Sequence, residues 1–402
     1  MVTQGWRGLA PARCIAVAAG SCHSGTMTAQ DSPFEIFLAT APGLEETLLA
    51  EIRLRGFRKP QAMPGGVSIQ GGWPEVWRAN LWVRGASRVL ARLASFPVSH
   101  LAQLDRLARQ VPWQTVLRPD VPVRVEASCE ASRIYHAGAA AERVANAIHA
   151  TLGAPLDDKA TVGVRVRIAR NICTISIDTS GALLHRRGYK LSVSRAPMRE
   201  TMAALFLRQC GFDGVEPVMD PMCGSGTFVI EAAEMAARLN PGRARSFAFE
   251  QLATFDAEAW ETMRAVKSQR TPANHYYGRD RDATAIANSQ ANAARAGVAD
   301  YTHFEQGSIG TLLPPAGPPG LVITNPPYGT RIGEREALFP LYRALGQRLL
   351  QHFPGWRAAI VTSEPALAHA SGLPFLPSGP PVPHGGLRVG LFHTAPLGTP
   401  TA

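Results

Sequence analysis

The stretch "LVITNPPYGTR", Leu321 to Arg331, is a short run of strand character stopped by an Asn, two prolines, a Tyr and a Gly. Val322, Ile323 and Thr324 are β-branched, and the breaker cluster "PPAGPPG" at 314–320 bounds them upstream, so the run reads as a strand buried on both faces. Pro326 and Pro327 have no N–H to offer a ladder, which ends pairing there and holds the backbone extended. Asn325, the Pro326 carbonyl and Tyr328 are then presented at the carboxyl end of a central strand, where open α/β sheets bind ligands. Taken alone, Asn-Pro-Pro-Tyr fits an ordinary strand exit equally well, so the surrounding chain has to decide.

From Met198 onward, strand and helix patterns alternate. A helix over 198–210 leads to the strand "PVM", the turn "DPMCGSGTF", a helix over 229–239 and the strand "HYYG" ending in "RDRD". A helix over 283–296, the strand "THFEQ", the opening strand, one helix over 336–352, "RAAIVTS" and "LRVGLFHT" complete the series. Six such alternations predict a doubly wound, mostly parallel sheet with its loops of interest at the carboxyl ends of the strands. Before Met198 the strands are short and paired, with helices between them, as in small α+β modules.

Each of three strand exits carries a motif. In "DPMCGSGTF", Asp220 closes the first strand, and Gly224 and Gly226 permit a tight turn into a helix whose free N–H groups face the turn. The loop matches neither the P-loop pattern nor the full dinucleotide fingerprint, which makes a phosphate cradle the weaker reading. Asp280 ends the second strand, in position to accept hydrogen bonds from ribose hydroxyls, while Asp282 reads as the cap of the next helix. A glycine turn, an acidic residue after strand two and Asn-Pro-Pro-Tyr after strand four together describe S-adenosylmethionine binding beside an amine acceptor.

The chain has 402 residues and a formal charge of +10. Residues 34–197 hold 22 Lys and Arg against 13 Asp and Glu, whereas residues 198–402 hold 17 of each, so the excess lies in the first half. Compositional drift toward Arg would not spare the second half, and a basic half joined to a neutral half points to a polyanion held by one and chemistry done by the other. The six cysteines have no C-x-x-C spacing, which predicts reduced thiols, no metal site and a cytoplasmic protein. No apolar run is long enough to span a bilayer. Residues 1–33 show no periodicity and read as a disordered extension, with Met27 a candidate start.

"DPMCGSGTFVIEAA", "PGRARSFAFEQLATFDAEAW", "NPPYGTRIG", "DTSGALLHRRGY" and "APMRET" resemble the THUMP-domain class I RNA methyltransferases that make N2-methylguanosine, above all the bacterial 23S rRNA guanine-N2 methyltransferases. "GLEE", "NLWVRGASRVLARL" and "SRIYHAGAAAERVANAI" are similar to the modules which that family places first. The resemblance implies an α/β chain in which a ferredoxin-like module (34–72), a THUMP RNA-binding domain (73–180) and a linker (181–197) precede a Rossmann-like methyltransferase domain (198–402). It implies a loop of Asp220, Pro221, Met222, Cys223, Gly224, Ser225, Gly226 and Thr227 around the methionine part of the cofactor, and Asp280 on its ribose. It also implies that Asn325, Pro326, Pro327 and Tyr328 hold the target base. Two positions depart from the family pattern: Ser308 stands where an acidic residue usually meets the adenine amine, and Gly385 where Asn is common. Arg133, His136, Arg186, Arg187 and Tyr189 are candidate RNA contacts, with domain packing the alternative for the last three. Cys223 reads as a small filler of the loop. RNA is the expected partner, rRNA before tRNA, with no obligate protein partner evident. DNA adenine or protein glutamine methylation, and non-catalytic RNA binding, are the competing readings.

Overall fold

The computed structural model describes residues 33–191, 198–266, 268–329 and 332–398. The extension expected over 1–33, with Met27, lies outside the described residues except for Pro33, as do residues 192–197 of the expected linker.

The first half is built on strands β1 (Phe34–Ala39), β2 (Gln61–Met63), β3 (Gly66–Gly71), β4 (Arg88–Pro97), β5 (Val123–Glu130), β6 (Val162–Ala169) and β7 (Ile172–Asp178). Helices α1 (Glu45–Leu54), α2 (Trp73–Trp82), α3 (Leu101–Ala108) and α4 (Ala137–Leu152) lie between them. On α1 the stripe Leu44, Leu48 and Ile52 is wholly buried, as its spacing predicts, and Gly56 follows the helix at φ +69°. The strands form one sheet in the order β2-β3-β1-β4-β7-β6-β5. β4 joins its two parts: Arg88 to Ala91 pair with β1, and Leu90 to Pro97 pair with β7 through an irregularity between Arg92 and Ala94. Hydrogen bonding therefore continues across Gly72, where the expected ferredoxin-like and THUMP modules meet.

The second half contains α5 (Glu200–Gln209), β8 (Val218–Asp220), α6 (Thr227–Ala236), α7 (Ala257–Ala265), β9 (Tyr276–Asp280), α8 (Ala283–Ala296), β10 (Thr302–Gln306) and β11 (Leu321–Thr324). It continues through α9 (Ile332–Glu336), α10 (Phe339–His352), β12 (Arg357–Thr362), α11 (Pro365–Ala370), β13 (Val382–His384) and β14 (Leu387–His393). The sheet order is β10-β9-β8-β11-β12-β14-β13, parallel from β10 to β12 and antiparallel at β14 and β13. This is the doubly wound sheet that the alternation predicts, with β8 and β11 at its centre. The helix expected over 336–352 is α10, which starts at Phe339 with Pro340 in its first turn, and a separate short helix, α9, ends at Glu336. No helix among the described residues is long and apolar enough to cross a membrane.

Candidate active site

β11 is buried along all four residues and ends at Thr324, so the two prolines stop the ladder where the sequence places the stop. Beyond it, the Tyr342 hydroxyl donates to the Pro327 carbonyl at 3.2 Å, tying the proline pair to α10. Asn325 Oδ1 is buried and has no hydrogen-bond partner. An orphaned buried acceptor costs free energy unless a ligand or water supplies a hydrogen. Tyr328 is 8% exposed, and burial raises its phenol pKa. Tyr328 packs in the core and also lines a cavity.

The loop after β8 is held from both sides. Cys223 N–H donates to the Arg279 carbonyl at 2.9 Å and Gly224 N–H to Asp280 Oδ2 at 3.0 Å. From α8, the Ser289 hydroxyl donates to the Gly224 carbonyl at 2.9 Å and Asn292 Nδ2 to the Ser225 carbonyl at 3.1 Å. Gly226 has φ +81°, and a Cβ there would lie 3.1 Å from Ser289 Oγ and 3.2 Å from the Phe304 ring. The turn is thus preformed and requires glycine at 226. Pro221, Ser225 and Thr227 are buried in it, Met222 and Gly224 are half-buried, and Cys223 is a buried filler whose thiol pKa is raised by burial.

Asp220 is 3% exposed, and its carboxyl is pushed up to about 7 by burial, with the nearby Asp280 charge adding to the shift. It accepts the Met222 N–H at 3.1 Å, and the Thr324 hydroxyl, buried without another partner, faces it from β11. Asp280 is half-buried and also accepts the Asp282 N–H at 3.0 Å, leaving lone pairs on both oxygens for further donors. Asp282 caps α8 through Thr284 N–H, as predicted. Gly307 N–H donates to the Asp280 carbonyl at 2.9 Å, and the next residue, Ser308, is exposed. Asp220 to Thr227, Asp280, Ser308 and Asn325 to Tyr328 therefore gather at the carboxyl edge of one sheet.

The candidate RNA contacts divide. Arg133 and Arg186 are exposed. His136 is exposed but caps α4, accepting the Ala139 N–H at 3.0 Å. Arg187 and Tyr189 do not serve as solvent-facing contacts. Arg187 is 3% exposed, pairs with Glu231 at 3.1 Å and donates to the Arg84 carbonyl at 2.8 Å; Tyr189 is 3% exposed and packed in the core. Arg187 joins the halves.

Three residues outside the expected site sets also reach the site. Lys190 Nζ lies 2.8 Å from Thr227 Oγ1 and 3.2 Å from Glu200, placing a cation at the exit of the glycine turn. Arg199 and His384 line a cavity of about 550 Å³ with Tyr328, Arg186 and Lys190. Lys190 adjoins "LHRRGY", Arg199 lies within "APMRET" and His384 precedes the departing Gly385, but none of these signals gave the residue a role. Among the described residues no His, Cys, Asp and Glu cluster could hold a metal ion, and Cys129, Cys173, Cys210 and Cys223 are free thiols.

Comparison with known proteins agrees with this geometry. Residues 187–373 match the RMKL-like methyltransferase domain and residues 35–90 the RlmL ferredoxin-like domain. A protein of Syntrophotalea carbinolica named ribosomal RNA large subunit methyltransferase K/L is 36% identical over 363 residues, covering 85% of this chain and 51% of that protein. Its namesake in Chromohalobacter salexigens is 35% identical over 365 residues, 86% of this chain and 50% of that one. The chain spans about half the length of the curated relatives it matches. Among solved structures, a possible methylase from Clostridium difficile 630 superposes with a TM-score of 0.84 at 27% identity, over 92% of this chain and 100% of that one. A predicted N6-adenine-specific DNA methylase from Listeria monocytogenes gives 0.80 at 28%, over 90% and 96%. Residues 187–373 thus belong to the RMKL-like methyltransferase domain family, and residues 35–90 to the RlmL ferredoxin-like domain family.

Proposed function

We propose that this chain transfers a methyl group from S-adenosylmethionine to the exocyclic N2 amine of a guanosine in RNA, with 23S rRNA as the substrate. The observation that carries the reading is the buried, unpartnered Oδ1 of Asn325 at the central strand exit, three residues before Tyr328. The names of the curated relatives support the rRNA.

The glycine turn fits the cofactor: the N-terminus of α6 and the Lys190 ammonium suit a carboxylate, and free lone pairs on Asp280 suit ribose hydroxyls. Ser308 is exposed just after β10, where a neutral hydroxyl accepts an adenine N–H more weakly than a carboxylate does. When bound, the cofactor supplies an electrophilic methyl on a sulfonium.

An amine on an aromatic ring is a weak nucleophile because its lone pair is delocalised. Asn325 Oδ1 and the Pro326 carbonyl each accept one of its N–H bonds, which favours the pyramidal nitrogen and aims its lone pair, while Tyr328 stacks on the base. The lone pair forms the new N–C bond as the C–S pair returns to sulfur, and the surplus amine proton leaves to water. The site acts by positioning and by fixed dipoles, and needs neither a covalent intermediate nor a strong base. The basic first half, with its THUMP region over 73–180, holds the RNA.

The test is methyl transfer to RNA, DNA and protein from a strain lacking the gene, with the products resolved by mass spectrometry. N2-methylguanosine in the 23S rRNA fraction is the expected product. N6-methyladenine in DNA, or methylglutamine in protein, in its place overturns the reading.

A further inference from the structure

The segment that connects the halves is held by one guanidinium. Arg245 Nη1 donates to the carbonyls of Leu183 at 2.8 Å and Arg186 at 3.1 Å, and its Nη2 to those of Ala182 at 2.7 Å and Ser180 at 3.1 Å. Among the described residues no carboxylate pairs with it, and its guanidinium carbon lies 5.0 Å from the centre of the Phe247 ring. The neighbouring Ala244 carbonyl closes on Gly188, where φ is +99° and a Cβ would lie 2.6 Å from that oxygen. Burial, and after it the charge of Arg187, pushes the pKa of Arg245 down to about 10, so it stays a cation at neutral pH.

The segment so fixed contributes His185, Arg186, Arg187 and Lys190 to the cavity beside Tyr328. Two of these cations are spoken for: Lys190 pairs with Glu200 at 3.2 Å and Arg187 with Glu231 at 3.1 Å. Arg186, and Arg199 from the other side of the cavity lining, are exposed and have no carboxylate partner among the described residues. Both act on His185, whose pKa is pushed down to about 4 by burial and then by the charges of Arg199, Arg186, Arg187 and Lys190. The cavity therefore carries two uncompensated positive charges. A phosphodiester offers two unesterified oxygens that only accept, which suits guanidinium forks, and a nucleotide stacked on Tyr328 brings one with it.

We propose that this cavity is a phosphodiester subsite for the RNA, contacted by Arg186 and Arg199, with Arg245 as the positioning residue that sets the backbone carrying Arg186. This rests on the RNA reading above.

The experiment uses the full chain and 23S rRNA transcripts, and reads the RNA concentration that half-saturates single-turnover methyl transfer at several salt concentrations. Arg186→Ala and Arg199→Ala should each raise that concentration on the order of tenfold and reduce its salt slope by about one, the loss of one phosphate contact. Both side chains are exposed, so these variants keep the fold, and calorimetry should show unchanged S-adenosylmethionine affinity. Arg245→Lys keeps the charge but has three donors for four carbonyls. It should raise the half-saturating concentration on the order of tenfold in the wild-type background and less than about twofold in the Arg186→Ala background, as for a residue that acts through Arg186. Arg245→Gln is read in the same way should the Lys variant fail to fold. An unchanged salt slope in Arg186→Ala and Arg199→Ala overturns the subsite, and a loss of cofactor affinity in either overturns it by assigning the cations to the cofactor. Equal effects of Arg245→Lys in the two backgrounds overturn its positioning role. Absence of transfer to any RNA by wild type overturns the underlying reading instead.

Discussion

Arg84 and Glu231 form an ion pair at 2.9 Å with side-chain exposures of 1% and 0%. Arg84 follows α2 in the first half, and Glu231 lies on α6, the helix that leaves the glycine turn. Glu234 on the next turn of α6 adds a second carboxylate at 3.0 Å, and Arg187 from the connecting segment shares Glu231. The halves are locked together through the element that carries the cofactor loop. Arg84→Met should cost about 3–5 kcal/mol, because two carboxylates are left in the interior with one cation fewer. Urea unfolding measures this. A loss below about 1 kcal/mol would mean that water reaches α6 once the guanidinium is gone.

Asn325→Ala separates stability from rate. Its Oδ1 has no partner to lose in the free protein, so the melting temperature should stay level or rise. Single-turnover methyl transfer should fall roughly a hundredfold, the effect of removing one preorganised dipole worth about 3 kcal/mol. Tyr328→Phe should stay near wild type, while Tyr328→Ala loses the stacking surface. Full activity of Asn325→Ala would place the amine elsewhere.

What the sequence made legible was local. Asn325 ends a strand because two prolines follow it, Asp282 caps the helix that begins one residue later, and Gly226 turns because no larger residue fits. Arg187 and Tyr189 were not legible in the same way, since "LHRRGY" reads the same whether it faces RNA or the interior. The place of Arg187 is set by Arg84 and Glu231, 103 and 44 residues away in the chain. His384 was hidden for a related reason: β13 is three residues long, and only its antiparallel pairing to β14 sets it in the cavity wall. The later start of α10 at Phe339 was legible in principle, as Pro340 favours the first turn of a helix.

Gly226→Ala tests the cradle. A left-handed Ala costs about 1–2 kcal/mol, and its Cβ would press on Ser289 and Phe304. The loop must shift, and calorimetry should show at least roughly tenfold weaker S-adenosylmethionine binding. Gly297→Ala is the control: its φ of +71° carries the same backbone strain, but a Cβ there meets nothing and lies at the far end of α8. It should lose stability and keep affinity. Equal binding by all three proteins would move the cofactor away from this turn.

Asp220 gives the molecule a pH signature. Its carboxyl is raised from 3.8 to about 7 by burial, so between those values the folded chain holds a proton that the unfolded chain has released. Its contribution to stability is therefore complete below about pH 4 and is lost as pH rises through about 7. Asp220→Asn cannot ionise yet still offers an oxygen to the Met222 N–H. Relative to wild type, the variant should gain up to ~3 kcal/mol between about pH 5 and pH 8, because the folded wild type loses ~1.4 kcal/mol for each pH step until its carboxyl ionises. Urea unfolding of both proteins at the two pH values isolates this carboxyl, because every other titrating group cancels in the difference. A difference that does not change with pH would show that Asp220 is ionised in the folded protein, with its charge compensated by Thr324 and the loop amides.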